Sequence, residues 1–135
     1  MKTTLSIILV FAAFYAIGQD QKLIGTWGVT ECAYVTSNGT EKIMVDEIKN
    51  GTAVTDYVIK EDGTYTLTGN MSGSGTMDSY EGTWKTDGNQ FITTITLQNQ
   101  SMEIIWDYEL KDDLLILTRT NPMKTMSIVN TYKRK

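Results

Sequence analysis

Carboxylate pairs are the residues of this chain that come closest to a catalytic or metal-binding pattern. They occur at Asp46-Glu47, Glu61-Asp62 and Asp112-Asp113. Paired carboxylates serve glycoside hydrolysis and calcium binding. Each pair here lies in or beside a turn signal, however, where acidic residues are ordinary solvated turn formers. The pattern therefore favours turns over a catalytic or metal-binding role.

The lack of histidine removes the other common kinds of catalytic site. The 135-residue chain contains no histidine and a single cysteine, Cys32. Histidine-based triads and histidine metal sites are thereby excluded. Cys32 has no histidine to activate its thiol, and we interpret it as a small apolar residue within a strand. We expect no catalytic residue, no metal and no cofactor, and therefore a protein that is not an enzyme.

The first 18 residues have the features of a secretory signal peptide. A positively charged start at residues 1–2 precedes an almost unbroken apolar run over 5–17, and residues 16–18 form a small-x-small cleavage pattern. The run is too short to cross about 30 Å of hydrocarbon as a helix. We predict a signal peptide over 1–18 and an exported domain over 19–135. We expect this domain to be soluble, periplasmic or extracellular, and without a membrane span.

The charge of the chain argues against nucleic acid as a partner. The formal net charge is −4 at pH 7, whereas surfaces that bind nucleic acid are strongly basic. The one basic run, Lys133-Arg134-Lys135, is interpreted as a solvated chain end.

The mature chain has the pattern of an all-β domain. Turn signals, four of which are Asn-Gly or Asp-Gly dipeptides, recur about every dozen residues, the spacing of an antiparallel meander. Met102, Ile104, Trp106, Tyr108 and Leu110 alternate with polar residues, as in a half-buried strand. Closing such a sheet into a barrel removes its exposed edges. The predicted strands are 26–36, 41–48, 53–60, 64–71, 79–85, 90–97, 101–110, 114–120 and 125–132.

Two of these segments allow more than one interpretation. Segment 41–48 is taken as a strand, although Ile43, Met44, Glu47 and Ile48 also fit one side of a short helix. In segment 26–36, strict alternation from an inward tryptophan would turn Glu31 inward, where a carboxylate is costly. Either Glu31 orients a polar ligand group, or a bulge after Gly28 changes the phase of the strand.

Four short motifs resemble those of a known barrel family. They are Gly25-Thr26-Trp27 at the start of the first strand, Asp62-Gly63-Thr64-Tyr65, Glu81-Gly82-Thr83-Trp84, and the closing hairpin from Tyr108 to Leu117. Their order and spacing resemble the small exported lipocalin-like (calycin) domains of bacteria. The resemblance implies one small antiparallel up-and-down barrel, lipocalin-like, of about eight to nine strands. It also implies that Trp27 closes the floor of the barrel and that Arg119 stacks on it.

Aromatic and methionine side chains supply the candidate binding surface. A barrel cavity lined by such groups binds a small hydrophobic or amphipathic molecule through its shape. An eight-stranded barrel is only just wide enough for its own side chains. The alternative is therefore a filled barrel that works through its loops or outer surface as a protein-interaction or inhibitor module. The candidate ligand-binding residues are Tyr65, Tyr80, Trp84, Phe91, Met102, Trp106 and Tyr108, with Met71 and Met126 as further lining.

Overall fold

The computed structural model describes residues 18–50, 55–69 and 78–135, and within them the chain is almost entirely β-sheet. The predicted signal peptide lies outside the described residues, apart from Gly18. A 3-10 turn, Gln21–Leu23, precedes the first strand, and one short helix, α1 (Val45–Asn50), follows the second. The strands are β1 (Gly25–Thr36), β2 (Gly39–Ile43), β3 (Thr55–Ile59), β4 (Thr64–Gly69), β5 (Asp78–Asp87), β6 (Gln90–Leu97), β7 (Gln100–Lys111), β8 (Leu114–Thr120) and β9 (Met126–Arg134).

The sheet closes into an antiparallel barrel. From β3 to β9 each strand pairs with its neighbour in sequence, and β9 pairs with β1 to complete the circle. Eight strands form the barrel, and β2 is an additional strand on one edge of β1. Closure pairs the two strands that an open sheet would leave at its edges. The predicted all-β up-and-down barrel is confirmed.

One edge of β1 is shared between two partners. The segment Gly25–Gly28 pairs with β3, and the segment Cys32–Thr36 pairs with β2. The helix α1 lies in the connection between these partners and packs against β1. Segment 41–48 is therefore a strand only as far as Ile43, and the prediction of a strand through 48 is wrong. Met44 has a φ of 56°, a left-handed conformation that ends the strand and starts the helical turn.

A bulge in β1 settles the orientation of Glu31. Val29 pairs with Tyr132 and Glu31 pairs with Thr131. Tyr132 and Thr131 are neighbours in β9, so Thr30 is an extra residue in β1 that has no partner in β9. Glu31 consequently faces outward, and its carboxylate lies 3.4 Å from the ammonium of Lys42. Of the two interpretations of Glu31, the bulge is the correct one.

The barrel has a closed end, where the β3–β4, β5–β6 and β7–β8 turns meet the 3-10 turn. Trp27 is fully buried there, and its indole N–H donates to the Leu23 carbonyl at 2.8 Å. The guanidinium of Arg134 lies 4.2 Å from the centre of the Trp27 ring. It also donates to the carbonyls of Ile24 and Lys22 at 2.9 and 2.8 Å.

Two sequence-based expectations are corrected by this arrangement. Arg119 does not stack on Trp27. It lies in the part of β8 that is farther from the closed end, beside Trp106. The residues 133–135 are not a solvated tail, because β9 continues through Arg134 and this side chain seals the floor. Lys135 is held as well, by an ion pair of 2.7 Å with Asp56.

Candidate ligand-binding site at the open end of the barrel

Inward-facing side chains become more exposed from the closed end toward the open end, where the β1–β2, β6–β7 and β8–β9 turns lie. Alternate residues of a strand share one face. Along β6 the inward Phe91 is 0% exposed, Ile95 is 7% exposed and Leu97 is 45% exposed. Along β8 Leu117 is fully buried, and Arg119, two residues further on, is exposed. The closed half is packed solid, and the open half is not.

The inward face of β7 carries an apolar stripe that the described residues bury only in part. Trp106 pairs with Phe91, Ile104 with Thr93 and Met102 with Ile95, so these side chains face inward with their partners. Trp106 and Ile104 are only partly buried, and Met102 is 52% exposed. A large, partly exposed apolar surface on the inner side of a barrel is suited to contact with a ligand.

A first cleft opens where β5 and β6 separate. Pairing between these strands begins at Gly82 and Ile95, and the residues nearer the open end diverge. The resulting cleft has a volume of about 420 Å³, within the range of small-molecule sites. It is lined by residues 79–81 of β5, which include Tyr80 and Glu81, and by residues 95–97 of β6.

A second cleft lies against the β8–β9 hairpin and has a volume of about 370 Å³. Arg119 and Ile128, which are paired across the two strands, form part of its wall together with Met126. The hairpin is well fixed, because the side-chain oxygen of Asn121 accepts from the backbone N–H groups of Thr125 and Met126 at 2.9 and 3.1 Å. This cleft therefore combines a cation with apolar walls on a rigid support.

Neutral polar groups lie between the closed half and the open half, and we call them the polar belt: Tyr65, Thr93, Asn130 and Tyr132. Thr93 lies beside the Tyr65 hydroxyl, and Asn130 lies beside the Tyr132 hydroxyl. Burial is the main cause that raises the pKa of both phenols. Both hydroxyls thus stay uncharged at neutral pH and remain suited to hydrogen bonding.

Cys32 also faces inward, because the bulge changes the phase of β1. It pairs with Asn130, and its thiol is one of the groups that raise the pKa of Tyr132. Burial, followed by the charge of Glu31, raises the pKa of the Cys32 thiol itself. The thiol is therefore protonated and of low reactivity. No group of three or more His, Cys, Asp or Glu side chains within the described ranges is arranged to hold a metal ion.

The seven predicted ligand-binding residues fall into three groups. Tyr65, Trp84 and Phe91 are buried in the packed core. Tyr108 lies near the closed end, where its hydroxyl donates to the Asp20 carboxylate at 2.8 Å. The residues in the open half are Tyr80, Met102 and Trp106, joined there by Met126, whereas Met71 lies outside the described residues.

Several inward residues of the open half were not among the predicted ligand-binding residues, and they include Leu97, Ile104 and Arg119. Ile104 follows from the alternation of β7 and carries a signal in the sequence. Arg119 lies two residues after the inward Leu117, so the alternation of β8 places it inward as well. What the sequence does not reveal is the end of the barrel at which each inward residue lies.

Comparison with known proteins supports the fold alone. No protein-family model matches the chain, and neither does any curated protein. The crystal structure of an uncharacterized protein from Bacteroides eggerthii is similar, with a TM-score of 0.54 and 14% sequence identity, over 83% of this chain and 98% of that chain.

Two further solved structures are more distantly similar. The wild-type fluorescent protein UnaG has a TM-score of 0.45 and 15% identity, over 85% of this chain and 98% of its own. A mutant of the fatty acid transporter REP1-NXSQ has a TM-score of 0.44 and 17% identity, over 86% and 100%. In the part of the chain that the structure describes, no helix is long and apolar enough to span a membrane. These similarities concern the barrel fold alone.

Proposed function

We propose that this protein is an exported, non-catalytic carrier that holds a small hydrophobic or amphipathic molecule in the open half of its barrel. The main evidence for this function is the contrast in burial along single strands. Inward Phe91 is 0% exposed, and inward Leu97 of the same strand is 45% exposed. Apolar side chains that the fold leaves in contact with water gain free energy when a ligand covers them, about 25 cal/mol per Å².

The shape of the open half supports the same function. The two clefts of about 420 and 370 Å³ are formed by the strand pairs β5–β6 and β8–β9, which precede and follow β7 in the sheet. A few polar groups among apolar walls are the usual composition of a small-molecule site. Here Arg119, in the wall of the second cleft, supplies such a group. The proposal is non-catalytic because the chain contains no histidine and its cysteine is partly buried and protonated.

Native mass spectrometry of the protein, purified from its own host without detergent, tests the proposal directly. We expect a retained small molecule that is lost when the protein is denatured. The mass of the denatured chain should also equal that of a chain beginning at Gln19, because export with cleavage of the signal peptide removes residues 1–18. An empty protein that stays empty after incubation with a lipid extract of the host would instead support the filled-barrel alternative.

A pair of neighbouring substitutions locates the site without knowledge of the natural ligand. Ile104 faces the interior, and Ile105, the next residue of β7, faces outward and is 44% exposed. We expect Ile104→Glu to reduce binding of the neutral fluorophore phenylnaphthylamine at least tenfold, because a carboxylate would enter the apolar stripe. Ile105→Glu is the matched control and should leave binding unchanged.

Met102→Glu is a second variant of the stripe that is expected to keep the fold even if Ile104→Glu unfolds. Its side chain is already 52% exposed, so the new carboxylate remains solvated and stability should change little. Weaker fluorophore binding in Ile104→Glu and Met102→Glu, but not in Ile105→Glu, supports the proposed site. Equal binding by all three variants would contradict it.

A further inference from the structure

Arg119 is an inward-facing cation whose charge the described residues leave uncompensated. It pairs with Ile128 across the β8–β9 hairpin, and its guanidinium lies 6.0 Å from the centre of the Trp106 ring. It forms no ion pair with the residues that the structure describes. The undescribed segments 1–17, 51–54 and 70–77 contain no aspartate or glutamate. They therefore supply no carboxylate side chain to neutralise this charge.

The other cations with assigned contacts are already engaged. Arg134 donates to two backbone carbonyls at the closed end, Lys42 pairs with Glu31, and Lys135 pairs with Asp56. The hairpin that carries Arg119 contains a second cation, Lys124, in its turn, and residues 119–127 include no acidic residue. One side of the open end is therefore positively charged, although the whole chain carries a net charge of −4.

From this placement we infer that the ligand of the open half is an anionic amphiphile, with its anionic group at Arg119 and its apolar part on the stripe of β7. The inference rests on the proposed function and specifies its ligand class. A guanidinium binds carboxylate, sulfonate or phosphate oxygens through two parallel N–H donors. The cleft of about 370 Å³ places apolar Ile128 and Met126 beside that guanidinium.

The neighbouring ring strengthens this role for Arg119. Trp106 is partly buried and lies on the stripe, one strand away from Arg119. An indole face attracts a cation and holds it in place without neutralising its charge. Arg119 is thereby kept near the interior while its N–H donors remain free for an anion. An apolar tail extending from that anion meets Trp106 and Ile104 next.

Two fluorophores of nearly the same shape test the inference. Anilinonaphthalene sulfonate carries an anionic group, and phenylnaphthylamine is its neutral counterpart. We expect the wild-type protein to bind the sulfonate more tightly than the neutral compound. Arg119→Gln should weaken sulfonate binding about tenfold, because a charge-assisted contact is lost. The same variant should weaken binding of the neutral compound much less, so that the preference for the sulfonate is lost.

Variants of two basic residues complete the experiment. Arg119→Lys should retain part of the preference for the sulfonate, since it keeps the charge and loses the planar fork. Lys124→Gln serves as a control for general surface charge and should change sulfonate binding by less than about threefold. An unchanged midpoint of urea unfolding in each variant shows that the barrel is intact. Displacement by dodecanoate but not by dodecanol would extend the result to natural amphiphiles.

The outcomes separate this inference from the proposed function. If the wild-type protein binds neither fluorophore, the proposed carrier function itself fails. If it binds both equally, or if Arg119→Gln weakens both to the same degree, the carrier function stands and the anionic ligand class is wrong. A loss that is much larger for the sulfonate than for the neutral compound supports the assignment of Arg119.

Discussion

The two ends of the barrel each place an arginine beside a tryptophan, and the two pairs differ in almost every other respect. At the closed end Arg134 lies 4.2 Å from the ring centre of Trp27 and donates to two carbonyls. At the open end Arg119 lies 6.0 Å from the ring centre of Trp106, with its side chain exposed. The guanidinium of Arg134 is hydrogen-bonded within the protein, whereas that of Arg119 has N–H donors without a partner among the described residues.

The surroundings of the two pairs explain this difference. Trp27 belongs to a cluster of buried aromatic and aliphatic side chains in which Tyr57 contacts Phe91 and Tyr132 edge-on, with ring centres 6.2 and 5.3 Å apart. Trp106 adjoins that cluster from the side of the open half and is only partly buried. Packing at one end supplies the stability that allows the other end to remain unfilled.

Substitution of one leucine at each end of the barrel should show the largest difference in stability between the two ends. Leu117 is 0% exposed in the closed half, and Leu97 is 45% exposed at the open end. We expect Leu117→Ala to lower the free energy of unfolding by about 2–5 kcal/mol, since it leaves a cavity in a packed core. Leu97→Ala should cost about 1 kcal/mol or less, because much of its side chain is already in water.

Urea denaturation of both leucine variants under identical conditions provides the comparison. A large difference supports a filled closed half and an unfilled open half. Equal and large losses would show that the open half is as tightly packed as the closed half. That result would favour the filled barrel acting through its outer surface.

Matched substitutions of the two arginines should give a smaller effect. Arg134→Gln removes the stack on Trp27 and two hydrogen bonds from a charged donor. We expect it to lower the free energy of unfolding by about 1.5–3 kcal/mol. Arg119→Gln should change that free energy by about 0.5 kcal/mol or less, because its side chain is exposed. Comparable losses in the two variants would mean that Arg119 also has a structural role.

Much of the barrel follows from the sequence, for a physical reason. Turn dipeptides such as Asp62-Gly63 and the alternation of β7 are local signals, so the strands and their facing residues are predictable. The local pattern did not predict helix α1, because the spacing of Ile43, Met44 and Ile48 fits a strand and a helix alike. The structure resolves this by the left-handed backbone of Met44, which ends β2.

The candidate site was less predictable because it depends on position along the barrel axis. Alternation identifies inward residues but does not separate buried Phe91 from half-exposed Leu97 on the same strand. The identity of the floor arginine also depends on strand register, which brings Arg134 opposite Trp27 and moves Arg119 away. Both are long-range properties that arise only when the barrel closes.

The smallest expected effect concerns the alkaline limit of the closed end. Burial, and then the hydrogen bond to Asp20, raise the pKa of Tyr108 to about 12. The unfolded chain ionises this phenol near pH 10, while the folded chain keeps it neutral. Its contribution to stability is therefore complete below about pH 10 and is lost as the pH rises through about 12.

Tyr108→Phe isolates this contribution from those of the more deeply buried Tyr57 and Tyr132, whose pKa values are also raised. Near neutral pH we expect the variant to be less stable by about 1 kcal/mol, because the hydrogen bond to Asp20 is lost. The difference from the wild-type protein should shrink as the pH rises from about 10 to about 12, since ionisation in the unfolded state then opposes folding only in the wild-type protein. Urea unfolding at several alkaline pH values measures that difference. A difference that stays constant over this range would mean that Tyr108 ionises equally in the folded and unfolded states, and that the closed end does not hold its phenol neutral.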